Sequence, residues 1–237
     1  MLSIKNIKKL RDQFISPSLS ISYTDPLHIV RGKGQYLYDR NGKKYLDGIN
    51  NISHVGHCHP EVTKTLYEQS KTLNTNTRYL HENIVLYAQE LISRLPSHLQ
   101  VCFFTNSGSE SNDLALRLAR NYTNSNHTIV IEGAYHGHTA ATIEVSPYKY
   151  DGPGGKGAAK FIHQVPMPDI YRGSWRASSA DILEYYLQHV DSILDSLNRK
   201  DEQVSAFISE SILGCGGQIF FPEGFLSLAN QKVKNVG

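Results

Sequence analysis

Three short turns carry side chains able to bind and transform a small molecule. In TNSGSES, residues 105–111, Ser107 is followed three positions later by Glu110. That is the capping-box pattern, so Ser107 is the expected N-cap of a helix beginning at Gly108 or Ser109. Such a terminus presents unpaired amides and a partial positive charge. Gly108 lets a ligand approach the backbone, and Ser107 and Ser109 add hydroxyl donors. A phosphate suits this turn; an ordinary capped helix accounts for the same residues, and the local sequence leaves both readings open. In GAYHGHT, residues 133–139, Tyr135 and His136 offer an aromatic face and an imidazole, and in ESILGCGG, residues 210–217, Glu210 offers a carboxylate. A phosphate cradle, a ring and a carboxylate together suit a planar phosphorylated cofactor. An aromatic face stacked on a heteroaromatic ring contributes about 0.5–1.5 kcal/mol beyond burial.

Each turn follows a segment that reads as a strand. Val101–Phe104 is a short aromatic and β-branched run, TIVIE covers residues 128–132, FIHQV covers 161–165, and VSAFISE covers 204–210. Helical periodicity lies between them, over 109–120 and 180–197, with a last helix carrying Lys232 and Lys234. Alternating strands and helices imply an α/β fold with a mostly parallel sheet, in which ligands gather at the carboxyl ends of the strands. If the strands are neighbours, the three turns meet in one crevice. Upstream, residues 28–47 alternate apolar and polar around Asn41-Gly42, which predicts a hairpin. Residues 60–95 read as helix, turn, helix: Pro60 and Glu61 open the first, and Ile84, Leu86, Tyr87, Leu91 and Leu95 of the second point toward a core.

Bulk properties narrow the function. A chain of 237 residues with 40% hydrophobic and 19% charged residues is globular, and long enough for one large domain with extra terminal segments. A formal net charge of +2 with no basic cluster argues against nucleic acid, and no apolar run approaches the roughly 20 residues of a membrane helix. Cys58, Cys102 and Cys215 are unpaired in spacing, as expected in a reducing compartment, where the sequons at Asn51, Asn121 and Asn126 carry little meaning. In MLSIKNIKKLRDQF, Ile7, Leu10 and Phe14 share a helix face beside Lys5, Lys8, Lys9 and Arg11. That pattern fits a mitochondrial presequence and equally a first helix packed on the enzyme body.

Two motif-like stretches are set aside. GPGGKG, residues 152–157, has glycine-fingerprint spacing but precedes a strand, so it reads as a loop. His54, His57, Cys58 and His59 are dense enough to suggest zinc, yet adjacent ligands cannot easily wrap one tetrahedral ion, and no second Cys/His pair stands at finger spacing. No metal is expected.

NSGSESNDLALRLAR, AYHGHT and HVGHCHPEV resemble the class III aminotransferases, fold type I enzymes that use pyridoxal 5′-phosphate. The likeness runs from Asp25 to the last residue. Within that family INNISHVGHCHP, LNTNTRYLH, SPYKY and GGQIF are similar to the phospho-lyases acting on ethanolamine phosphate and 5-phosphohydroxylysine. The resemblance implies a three-layer α/β/α fold, incomplete at the C-terminus. Residues 1–50 would form a helix and hairpin of the small domain, and 51–237 the first part of the large cofactor-binding domain. It makes Gly108 and Ser109 phosphate ligands with Ser107 alongside, Tyr135 the ring-stacking residue, His136 its neighbour, and Glu210 a carboxylate beside the cofactor. The histidine-rich loop would lie near the active site and subunit interface, with His81 facing substrate or, on the sequence alone, a surface histidine. A phosphorylated amine substrate, a homodimeric complete enzyme, and a mitochondrial or alternatively cytoplasmic location follow.

In that family the aspartate facing the pyridine nitrogen and the Schiff-base lysine lie beyond the strand of Glu210, and no lysine here stands in a matching context: not Lys149, Lys156, Lys160, Lys232 or Lys234. The chain is therefore expected to be the front portion of a longer enzyme. Alone it would be inactive, with exposed apolar surface and poor solubility. The motifs do not separate lyase from transaminase. A non-catalytic form pairing with intact subunits is a further reading, whereas a nucleotide-binding module is disfavoured because no G-x-x-x-x-G-K-[ST] follows a strand.

Overall fold

A computed structural model describes residues 2–48, 54–178 and 180–236. The chain divides into two compact units, residues 1–86 and 87–237. The Asn51 sequon and residues 49–53 of the INNISHVGHCHP motif lie outside the described residues.

The first unit opens with α1 (Ile4–Phe14), capped by the Ser3 hydroxyl, with no buried residue. The expected hairpin is the second half of an antiparallel meander, β1 (Ile29–Lys33), β2 (Tyr36–Asp39) and β3 (Lys44–Leu46). The Asp39 side chain makes the β2–β3 turn: its Oδ1 accepts the amides of Asn41 and Lys43, both at 2.9 Å, while Gly42 takes φ +83°. α2 (Pro60–Thr72) follows, and α3 (Glu82–Ile92) spans the boundary between the two units. The sequence turned the apolar stripe of α3 toward a core, but no residue of α3 is buried. Its periodicity is real; among the described residues that face is only partly covered, with the Tyr87 ring stacked on Phe104 at 5.3 Å between centroids.

The second unit is a layered α/β/α body. Three parallel strands lie in the order β5 (Ile162–Val165), β4 (His127–Ile131), β6 (Val204–Ile208). β4 is central, and its residues Ile129–Ile131 are apolar and fully buried, as in a parallel strand covered on both faces. Ile129 and Ile131 pack with α7 (Ile182–Asn198) and α8 (Phe225–Lys234) through Tyr186, Val190, Leu194, Phe225 and Ala229. Val130 points the opposite way, by the two-residue period of a strand, and packs with Leu116 of α4 (Gly108–Thr123) and with Val145 and Tyr150. Those last two close α5 (Ala140–Glu144) and α6 (Pro147–Tyr150), short helices in the crossover from β4 to β5.

The expected strand at 101–104 does not form. The segment has no strand partner among the described residues, and Val101 and Phe103 are 77% and 65% exposed. A strand exists by pairing, so an apolar run without a neighbour stays irregular. GPGGKG is a loop, with Gly154 and Gly157 at positive φ.

Candidate active site

The carboxyl ends of β4 and β6 share one edge because the strands are parallel, and the turns leaving them meet there. Glu210, two residues past β6, accepts the amide of Tyr135 on Oε1 at 3.0 Å and that of Gly214 on Oε2 at 2.8 Å. Both carboxylate oxygens are thus engaged by backbone, and the Tyr135 main chain is fixed to the neighbouring strand.

The turn after β4 is tied equally closely to the start of α4. Ser109 Oγ accepts the amide of His138 at 3.0 Å, and Asn112 Nδ2 donates to the carbonyl of His136 at 2.7 Å. The approach leaves no room for a side chain at Gly137, where a Cβ would stand 2.8 Å from both Ser109 Oγ and Thr142 Oγ1. Gly137 also takes φ +140°. The amide of His136 donates to the buried Ser146 hydroxyl at 2.9 Å.

The N-terminus of α4 has the capped form that its sequence predicts. Ser107 Oγ accepts the Glu110 amide at 3.2 Å, and Glu110 reaches back to the amide of Asn106 rather than that of Ser107, at 2.7 Å. Among the described residues no hydrogen bond takes up the amides of Gly108 or Ser109. A Cβ on Gly108 would meet nothing within 4 Å, so its backbone faces open space. The Ser109 hydroxyl, already an acceptor, keeps its proton for donation. Two amides, one hydroxyl and the positive end of a 16-residue helix make an anion cradle.

Tyr135 is half-buried, with its ring edge-on to Tyr148 at 6.0 Å between centroids. His136 is 5% exposed and its Nε2 is buried without a hydrogen-bond partner. Burial holds its imidazole below the ordinary pKa, with the Glu210 carboxylate pulling weakly the other way, so the ring is neutral at physiological pH. Cys215 lies close by, its thiol pushed up by burial and by Glu210.

All six residues singled out from sequence, Ser107, Gly108, Ser109, Tyr135, His136 and Glu210, therefore lie on three turns joined by direct hydrogen bonds. Sequence reasoning missed Asn112 and Ser146, which brace the His136 turn and are ordinary residue types with no local signature. Lys149, which the sequence showed only to lack the context of a Schiff-base lysine, sits on α6, with Nζ 5.6 Å from the centroid of the Tyr135 ring.

The histidine-rich stretch belongs to the first unit. His57 Nε2 bonds Asp47 Oδ2 at 2.8 Å, and the His57 and Gly34 backbones pair. His59 precedes α2, and His81 Nδ1 accepts the amide of Asn83 at 3.2 Å in the first turn of α3. Among the described residues no group of three or more His, Cys, Asp or Glu side chains is placed to hold a metal. None of the described helices is long and apolar enough to cross a membrane.

The chain is 46% identical over 97% of its length to alanine–glyoxylate aminotransferase 2-like of Drosophila melanogaster, covering 47% of that protein. It is 38% identical over 99% of its length to ethanolamine-phosphate phospho-lyase homolog 1 of Caenorhabditis elegans, covering 52% of it. It thus spans about half the length of these curated relatives. A phospholyase from Arthrobacter, solved in complex with phosphoethanolamine, superposes with a TM-score of 0.86 at 33% identity, over 97% of this chain and 53% of the other. The family described as aminotransferase class-III matches residues 20–235, and the chain belongs to that family.

Proposed function

We infer that this chain is the cofactor-holding front half of a pyridoxal-phosphate-dependent phospho-lyase. The complete enzyme would cleave ethanolamine phosphate or 5-phosphohydroxylysine, with one water consumed, to an aldehyde, ammonia and phosphate. The observation that carries the cofactor reading is the join between the open α4 cradle and the Tyr135 turn through Ser109 and His138. The residues fit the group: free amides at Gly108 and Ser109, a hydroxyl proton at Ser109, and a half-buried aromatic ring on the adjoining turn.

In this reading the Gly108 and Ser109 amides and the Ser109 hydroxyl hold the phosphate, with Ser107 keeping the helix terminus open. Tyr135 would stack on the cofactor ring. Glu210, with both oxygens on backbone amides, positions Tyr135 beside the ring, and neutral His136 braces the turn from behind. When bound, the cofactor would supply an electron-withdrawing ring. The reacting lysine and the acidic partner of the ring come from outside these 237 residues, so the chain by itself is inactive. Exposed apolar residues on α3, among them Val85, Leu86 and Tyr87, support a homodimeric complete enzyme, and the basic face of α1 supports a mitochondrial destination. Likeness to the Arthrobacter phospholyase supports elimination. The Drosophila relative, named as an aminotransferase, supports the alternative, transfer of the amino group to pyruvate or glyoxylate.

Calorimetric titration of the chain with pyridoxal phosphate tests the cofactor site: saturable binding, abolished by excess inorganic phosphate, is expected, and no binding refutes it. The full-length enzyme decides the reaction. Ammonia release from ethanolamine phosphate without a keto acid means lyase, and dependence on pyruvate or glyoxylate means transaminase.

A further inference from the structure

Lys149 is a half-buried cation beside the Tyr135 turn. Its ammonium lies 5.6 Å from the centroid of the Tyr135 ring and 5.5 Å from that of Tyr148, on the short helix α6 whose packing is fixed by the buried Pro147 and Tyr150 on either side. Among the described residues no carboxylate comes within salt-bridge distance of it. The carboxylate that shares its neighbourhood, Glu210, has both oxygens taken by the amides of Tyr135 and Gly214. Glu210 holds the Tyr135 amide and the Gly214 amide next to Cys215, and Lys149 stands against the Tyr135 ring, so these groups gather at the Tyr135 turn.

A partly desolvated ammonium costs free energy unless something anionic repays it, and two aromatic faces do so only in part. The Tyr135 turn thus has anion-seeking groups on two sides: the α4 terminus through His138, and Lys149 against the Tyr135 ring. One phosphorylated cofactor fills the first and leaves the second. We propose that Lys149 receives the phosphate group of the substrate, making it a specificity-determining residue for phosphorylated amines. This rests on the cofactor reading above and adds to it the point of substrate recognition. A compact ammonium suits a dianionic monoester, which it holds as a point charge.

The test is calorimetric titration of O-phosphoethanolamine into the chain saturated with pyridoxal phosphate, for the wild type, Lys149→Met and Lys149→Arg, with L-alanine as the carboxylate control. Lys149→Met should weaken phosphoethanolamine roughly tenfold or more, while Lys149→Arg stays within a few-fold of wild type. Circular dichroism melts separate loss of charge from loss of fold. Equal phosphoethanolamine affinity in wild type and Lys149→Met overturns the proposal, as does equal loss in both variants with unchanged melts. So does an L-alanine affinity that falls as far as that for phosphoethanolamine, which would make Lys149 a general anion site. Cofactor binding without phosphoethanolamine binding in the wild type overturns this assignment alone, whereas absence of cofactor binding overturns the site itself.

Discussion

The Ser109 hydroxyl oxygen accepts the His138 amide at 3.0 Å, so the first turn of α4 and the turn after β4 are joined by an acceptor that still has a proton to give. Ser109→Ala removes both functions. Loss of one phosphate donor, at about 1–1.5 kcal/mol, should weaken pyridoxal phosphate roughly tenfold in a calorimetric titration, with a smaller fall in urea stability because His138 is exposed and its amide can find water.

Gly137→Ala should do more damage to folding. The new methyl would stand 2.8–2.9 Å from Ser109 Oγ, Thr142 Oγ1 and Ser109 Cα, at a φ of +140°. Overpacking and backbone strain each cost about 1–3 kcal/mol. Urea unfolding should show a lower midpoint and an unchanged slope, and a midpoint matching wild type would mean that the turns are not pressed together.

Glu210→Gln keeps the shape and loses one acceptor. The carboxamide NH2 must then face the amide of Tyr135 or of Gly214, at a cost of about 1–3 kcal/mol. Removing the negative charge should also let the Cys215 thiol titrate at lower pH, read as faster alkylation by iodoacetamide at pH 8. An unaltered alkylation rate would place Glu210 away from Cys215.

Acid should destabilise the second unit through two histidines. His163 is held below its ordinary pKa by burial first, then by His127 and Lys200, with Glu202 opposing; His136 is held down by burial. Both folded-state values lie below the unfolded one, so under about pH 6.5 the unfolded chain binds more protons and stability falls as pH falls. His163→Gln keeps a partner for His127, whose Nδ1 lies 2.9 Å from His163 Nε2. It should flatten the decline between pH 7 and 5 in urea titrations, and an equally steep decline would remove His163 from the account.

Local chemistry made much of this legible in sequence. The Ser107 cap, the apolar β4 and the last two helices are written in neighbouring residues, and the three site turns follow from them. What escaped was non-local. Among the described residues Val101–Phe104 has strand composition but no strand beside it, and the α3 stripe has helical period but only partial cover. The Asp39 carboxylate, rather than Asn41-Gly42 alone, shapes the β2–β3 turn. His57 is engaged by Asp47, and Lys149 comes to rest against Tyr135; neither meeting is visible before the chain is folded.

The central strand of the sheet is paired only with strands made after it. Ile129, Val130 and Ile131 are fully buried between β5 and β6, yet during synthesis they emerge first and wait until Val204–Ile208 has been added. Such late, long-range pairing is slow and leaves a sticky apolar ribbon uncovered in the interval. β4 therefore completes its pairing only once β6 has been made.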